Sequence, residues 1–332
     1  MKLNPRSAFA LILGLAALPL AGQPVKMHIS GPYTHDNLSL YLVHGPNRSE
    51  HKLITLDEAI MQHKVMVYET GNVNQLAIEN VSEDVEVYVQ SGDIVKGGRQ
   101  DRTLKNDMIL PSKSGKVALD AFCVEHGRWT GRGGESAAVF NGASQTVATR
   151  ELKLAVKQRA NQSEVWDKVA EAQARLSHNV NGAVRGAASP TSMQLTLEAP
   201  AVRQSIDNYM AALSKIADGK DDVVGYAFAI NGKVNSADVY ASSDLFRKLW
   251  PKLLRASAVE ALADRQANLK FEAPGIAAVK DTIRDAESAA AQADSLTSRT
   301  EVIRKETKTN VMYETRDAAK PAAWVHKNYI VK

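Results

Sequence analysis

The chain has 332 residues, 44% of them hydrophobic and 23% charged, with 41 Lys and Arg against 37 Asp and Glu. It is too apolar and too evenly charged to be disordered. Twenty Gly and eleven Pro without a period exclude a collagen-like repeat, and one cysteine excludes an intrachain disulfide framework or a Cys-rich zinc site.

Residues 1–22 (MKLNPRSAFALILGLAALPLAG) read as a cleaved secretory signal peptide. Lys2 and Arg6 form the basic start, Ala8 to Leu18 is free of charge, and Pro19, Ala21 and Gly22 form a small-residue exit. The apolar run falls short of the roughly 20 residues a membrane span needs. The only cysteine is Cys123, which closes the lipoprotein route. Removing the signal leaves 39 basic residues against 37 acidic ones. That near-neutral balance argues against a nucleic-acid binder. No later segment is apolar enough to span a membrane, so a periplasmic or extracellular protein is expected.

Alanine occurs 8 times in residues 23–150 and 30 times in residues 151–300. Alanine favours helix, so the expected class is α+β: a β-rich half (23–150, mixed or antiparallel sheet) with a helix-rich half (151–332) packed on it. One continuous domain over about 30–330 accommodates both halves. Strands are predicted at Val25–Ser30, Leu38–His44, Val65–Glu69, Leu76–Glu79, Val85–Gln90 and Val117–Val124. Val85, Val87 and Val89 alternate with Glu86, Tyr88 and Gln90, the pattern of a half-buried strand. Thr55-Leu-Asp-Glu58 has capping-box spacing and starts a helix reaching about Gln62.

In the second half, helices are predicted over Ser163–Ser177 with Ser163 as N-cap, over Ala201–Ala217, over Ser243–Arg265 with a kink or break at Pro251, and over Ile276–Ala293. Asn231-Gly232 between two apolar runs predicts a hairpin. Terminal strands are expected at Thr309–Thr315 and Trp324–Val331.

Two segments carry candidate chemistry. Around Gly97-Gly98, the residues Lys96, Arg99, Arg102 and Lys105 concentrate positive charge, and glycine allows backbone N–H groups to approach an anion. The spacing fits neither the Walker A loop nor the dinucleotide fingerprint. The alternative is a charged turn. The second segment, Cys123-Val-Glu125-His-Gly-Arg128-Trp129, collects a thiol, a carboxylate, an imidazole, a guanidinium and an indole. Glu125 is the candidate acid or base, Cys123 a candidate nucleophile or a packed thiol, and Trp129 a stacking surface. Glu125 and Arg128 also make a plausible pair. His28, His35, His44 and His51 cluster in sequence without a metal-ligand spacing, so no metal is assigned. The Trp166 and Trp250 helices read as core.

The runs GDIVKGGRQDRTL (92–104) and CVEHGRW (123–129) resemble the paired signatures of the ARG and rhodanese-phosphatase-superfamily-associated protein domain family, where ARG stands for ADP-ribosylglycohydrolase. TLDEA (55–59), the Trp166 helix, GYAFAINGKV (225–234) and LFRKLWPKLL (245–254) extend the likeness over about 30–330. Gly97, Gly98, Gln100, Asp101 and Arg102 match the first signature, and Cys123, Glu125, Arg128 and Trp129 the second. The resemblance implies a context of ADP-ribose or nucleotide metabolism and carries over no catalytic residue and no cofactor. The expected partner is therefore a small anionic ligand held by Lys96, Gly97, Gly98, Arg99, Gln100, Asp101, Arg102, Arg128 and Trp129. The alternative is a non-enzymatic envelope protein that binds another protein or a glycan. A composite site requires the two segments to lie within one side-chain length, roughly 10 Å.

Overall fold

Strand β2 (Leu38–His44) is buried on both faces, and that fact organises the molecule. Leu38, Leu40 and Leu42 point into one apolar core, Tyr41 and Val43 into another. The computed structural model describes residues 27–49, 52–147, 149–267, 269–320 and 323–332. The expected signal peptide and His51 lie outside these residues.

β2 pairs with β1 (His28–His35) and with β12 (Val223–Ile230). β12 turns back into β13 (Lys233–Tyr240) through Asn231 and Gly232, both at positive φ, as the hairpin signal requires. The terminal strands β16 (Asn310–Asp317) and β17 (Trp324–Val331) then join, followed by β15 (Thr300–Glu306) and β14 (Ala291–Ser295). The result is an antiparallel sheet in the order β1-β2-β12-β13-β17-β16-β15-β14. The terminal strands thus enter the same sheet as β1 and β2, joined to it through β13.

A second sheet, in the order β11-β7-β8-β10-β5-β4, contains β4 (Val65–Asn72), β5 (Gln75–Asn80), β7 (Asp93–Gly97), β8 (Arg102–Leu104), β10 (Gly115–Cys123) and β11 (Phe140–Thr146). It curls until its edges touch: Tyr68 on β4 bridges Val139, and the Glu69 N–H donates to Ala138 O. Val65, Val67, Ile78, Val95, Leu104 and Leu119 fill its interior. A short sheet of β3 (Leu53–Thr55), β6 (Glu86–Val89) and β9 (Met108–Leu110) sits beside it, with helix α1 (Leu56–Met61) closed at its start by the Thr55–Glu58 capping box.

Helices cover both faces of the large sheet. α6 (Ser243–Ala263) packs Leu245, Phe246, Leu249 and Leu253 against Tyr226, Phe228 and Tyr240. α3 (Gln162–Asn179) and α5 (Pro200–Leu213) share that core. α7 (Ile276–Ser288) covers the opposite face with Val279 and Ala286.

Several expectations change. The chain is strand-rich overall: helices dominate 150–217, but among the described residues the second half then adds six strands, β12 to β17, so it is not simply a helix-rich half packed on a sheet. β6 is buried on both faces rather than half-buried: Val87 and Val89 enter the curled-sheet core while Tyr88 enters the core under the large sheet. The cap of α3 is Asn161, whose side chain accepts from the Glu164 N–H, and not Ser163. α6 runs through Pro251 without a break. The helix predicted to Ala293 ends at Ser288, because Ala291–Ser295 pairs with β15; tertiary pairing overrides the helical preference of alanine.

Candidate functional site

The curled sheet brings the two signatures together. β8 and the end of β10 are neighbours, with Cys123 opposite Arg102. The chain then bends, and the Val124 N–H donates to Asp101 O at 3.0 Å. Glu125 Oε2 accepts from the Asp101 N–H at 2.8 Å, and Glu125 O accepts from Gln100 Nε2 at 3.1 Å. Arg128 grips Glu125 through Nε (2.7 Å) and Nη2 (2.8 Å) and donates to Gly98 O (3.0 Å) and Gly97 O (3.3 Å). The separation condition for a composite site is met at hydrogen-bond distance.

The burial of these groups is the decisive property. Gln100, Asp101, Arg102 and Glu125 are each 0% exposed. Arg102 reaches Glu69 Oε2 at 3.4 Å and Gln100 Oε1 at 3.2 Å. Arg132, from a glycine-rich stretch, clamps Asp101 with Nη1 at 2.9 Å and Nη2 at 3.1 Å. Ser192 Oγ donates to Asp101 Oδ2 at 2.7 Å while accepting from the Leu195 N–H, so the network also caps α4 (Met193–Glu198). Three guanidinium groups (Arg102, Arg128, Arg132) thus face three carboxylates (Glu69, Asp101, Glu125), all nearly inaccessible. Burial would raise the Glu125 carboxyl, but hydrogen bonds from Arg128, Ser189 and the Asp101 N–H hold it below its usual range.

The glycines serve this network as well. The Gly97 N–H donates to Asp101 Oδ1 at 3.0 Å, and a Cβ on Gly98 would lie 2.4 Å from the Phe140 ring. Gly98 adopts φ +57°, and its missing side chain leaves room for the tip of that ring against the backbone. Lys96 is paired with Glu198 at 2.7 Å. The outward-facing side chains of the signatures are Arg99, His126 and Trp129, the last 48% exposed.

Cys123 sits as a packed thiol. It is buried, its Sγ faces Val73 O at 3.7 Å, and burial pushes the thiol up to about 11 against the partial opposition of Arg102. A thiol at that value is protonated at neutral pH. Native protein treated with iodoacetamide at pH 8 is therefore expected to stay unmodified, with one equivalent taken up after denaturation; mass spectrometry reads both.

Open space lies next to the network. A cleft of about 380 Å³ is lined by His126, Trp166, Gln173, Arg185 and Thr191, with Ser163 and Asp167 at its α3 side. This is within the size range of small-ligand sites. The His126 and Trp166 rings meet at 4.3 Å with a 68° angle. Trp166 Nε1 donates to Glu125 O at 3.1 Å, so the wall of the cleft hangs from the buried carboxylate's own main chain. Thr191 Oγ1 ties both the N–H (3.0 Å) and the carbonyl (2.7 Å) of His126. Arg185 is exposed and makes no ion pair among the described residues. Trp129 does not line this cleft.

The sequence profile of the ARG and Rhodanese-Phosphatase-superfamily-associated Protein domain matches residues 26–330. The chain belongs to this family. Comparison with curated proteins and with solved structures finds no match. In this member of the family, both signature runs fold into one charge-balanced unit, and Trp166, read from sequence as core, is half-buried at the cleft wall.

A second polar cluster escaped the sequence reading. His326 on β17 lies between Asp107 (Nδ1 to Oδ2, 2.7 Å) and Asp238 (Nε2 to Oδ1, 3.0 Å), stacked on Tyr240 at 4.3 Å. Lys157, in a single π-helical turn (Ala155–Arg159), donates to Asn328 Oδ1 at 3.2 Å. Burial lowers the Lys157 ammonium, against the pull of Asp107 and Asp238. The cavity there is about 30 Å³, space for a water or two and for no substrate. Among the described residues no helix is long and apolar enough to cross a membrane.

Proposed function

We propose that this is an exported, periplasmic or extracellular domain that binds a small anionic ligand of the nucleotide or ADP-ribose class in the cleft between α3 and the 185–191 segment. One observation carries the reading: an open cleft with an aromatic wall (Trp166, His126) and an exposed arginine (Arg185) stands on a rigid, buried ion-pair unit. Stacking on an indole or imidazole face suits a nucleobase, and a guanidinium suits a phosphate. The family's context supports the ligand class. The signature residues act in this reading as the foundation that fixes the wall, because their charges are already matched. Binding is thus favoured over catalysis: the signature carboxylate, Glu125, is buried behind the cleft wall and held ionised by its partners, and the carboxylate that lines the cleft, Asp167, is solvent-exposed.

Thermal melts and calorimetry with ADP-ribose, AMP and sugar phosphates test the proposal. A ligand that binds only the native state raises the melting temperature. R185A is expected to keep the fold and to weaken ADP-ribose binding about tenfold, or about 1.4 kcal/mol. No shift with any of these compounds at millimolar concentration, or equal binding by R185A, would sink the reading. Binding of a glycan in their place would favour the envelope-protein alternative.

A further inference from the structure

The open end of the β1–β2 hairpin holds a side-chain trio unrelated to the cleft. Register places His28 opposite His44. β12 then enters with Val223 also opposite His44, which delivers Asp222 to the same point. The His28 and His44 rings stack with centroids 4.3 Å apart and planes at 10°. Asp222 Oδ2 lies 3.1 Å from His44 Nδ1, and one donor atom from each of the three residues lies within 4.8 Å of the others.

We propose that His28, His44 and Asp222 form a Zn²⁺ site. Two imidazoles and one carboxylate are a zinc donor set, and three protein ligands leave a fourth position for water. The support around His44 fits a ligand role. His44 is buried, and its far nitrogen Nε2 lies 2.7 Å from Ser30 Oγ. A metal-bound histidine almost always donates its other ring N–H to a second group, which fixes the ring and the tautomer. With Nε2–H donating to Ser30 Oγ, the Nδ1 lone pair faces Asp222 and the ion occupies the place between them. Tetrahedral zinc with bonds near 2.1 Å needs donors roughly 3.4 Å apart. His28 and Asp222 are both exposed, so their side chains are able to unstack and rotate inward while buried His44 stays in place. Sequence spacing hides the site, because strand register and a segment almost 180 residues away bring the donors together. The proposal departs from the sequence reading, which assigned no metal to His28 or His44.

The test is calorimetric titration of Zn²⁺ into EDTA-stripped, dialysed protein. One equivalent is expected to bind. H28A and D222N should each weaken binding at least about tenfold, and S30A, which removes only the group behind the ligand, by about tenfold. H63A, at an exposed histidine elsewhere, should bind like the parent. Because His28 and Asp222 are exposed, unchanged circular dichroism in EDTA checks that these variants fold. Failure of the stripped protein to take up zinc overturns the proposal. So does binding retained within twofold in both H28A and D222N. The cleft plays no part in this measurement, so its outcome is independent of ADP-ribose binding.

Discussion

Glu125→Ala is expected to destabilise the protein by about 3–5 kcal/mol, the cost of breaking a buried ion pair from one side. The side chain is 0% exposed and accepts from Arg128 Nε and Nη2 and from the Asp101 N–H. Its loss leaves a guanidinium and a backbone donor buried without their partner, and Arg132, 3.6 Å from Glu125 Oε1, gains excess positive charge nearby. Urea denaturation followed by circular dichroism measures the effect. Arg102→Ala is expected to behave alike, since it strands Glu69. A double-mutant cycle between Glu125 and Arg128 separates their coupling from general damage. A loss below about 1 kcal/mol for Glu125→Ala would show that the carboxylate is not bound into the network, and would return it to consideration as an acid or base. Native stability with lost ADP-ribose affinity would point the same way.

The second large effect concerns His326. Burial alone would lower this imidazole, but the charges and hydrogen bonds of Asp107 and Asp238 raise it from 6.5 to about 9. Below pH 6.5 the folded and unfolded states both hold the proton, and the stabilisation is fully present. Between 6.5 and about 9 only the folded state holds it, so stability falls as pH rises, and above 9 this contribution is gone. Asp107 works with the opposite sign. Burial raises it, yet the His326 charge and hydrogen bond, with Lys157 and the Ser91 N–H, hold it well below its usual range. Its contribution is present above about pH 4 and disappears as acid titrates the folded carboxylate. The pair therefore contributes most between about pH 4 and 6.5. His326→Gln is expected to lose about 3 kcal/mol at pH 6, with the difference from the parent shrinking toward pH 9. Denaturant melts across that range check it. A difference that is constant with pH would mean that His326 is neutral in the fold.

Many of the longer elements were legible because each carries its own signal, although the seven-residue strands β11 and β15 were not predicted. Leu38–His44 is a mostly apolar run broken only by Ser39 and ending on His44, Thr55–Glu58 a capping box, and Asn231-Gly232 a turn whose two residues tolerate positive φ. The strands β3, β7, β8 and β9 are three to five residues long, too short to show a period. β7 was further hidden by the lysine and glycines that made its segment look like a loop.

The site was legible in its proximity but not in its burial. Local charge counting over 96–105 sees Lys96, Arg99, Arg102 and Lys105, whereas the neutralising groups Glu69, Glu125 and Glu198 arrive from other elements. Charged residues are also almost never fully buried unless paired, so sequence places them at the surface by default. Arg132 lay in a glycine-rich stretch with no pattern around it. Arg185 had no signal at all, because its position beside Trp166 depends on the path of the 180–192 segment.

The placement of β17 between β13 and β16 sets the order in which this protein is able to mature. β17 is an interior strand, and the strands that flank it, β13 (from Lys233) and β16 (from Asn310), start 77 residues apart. Until residues 324–331 are present, the sheet exists as two unjoined pieces and Asp107 and Asp238 await the histidine that lies between them. Pairings this distant in sequence fold slowly, on the millisecond-to-second scale. Pairing of residues 324–331 is therefore the step that joins the two pieces of the large sheet and closes the Asp107–His326–Asp238 cluster.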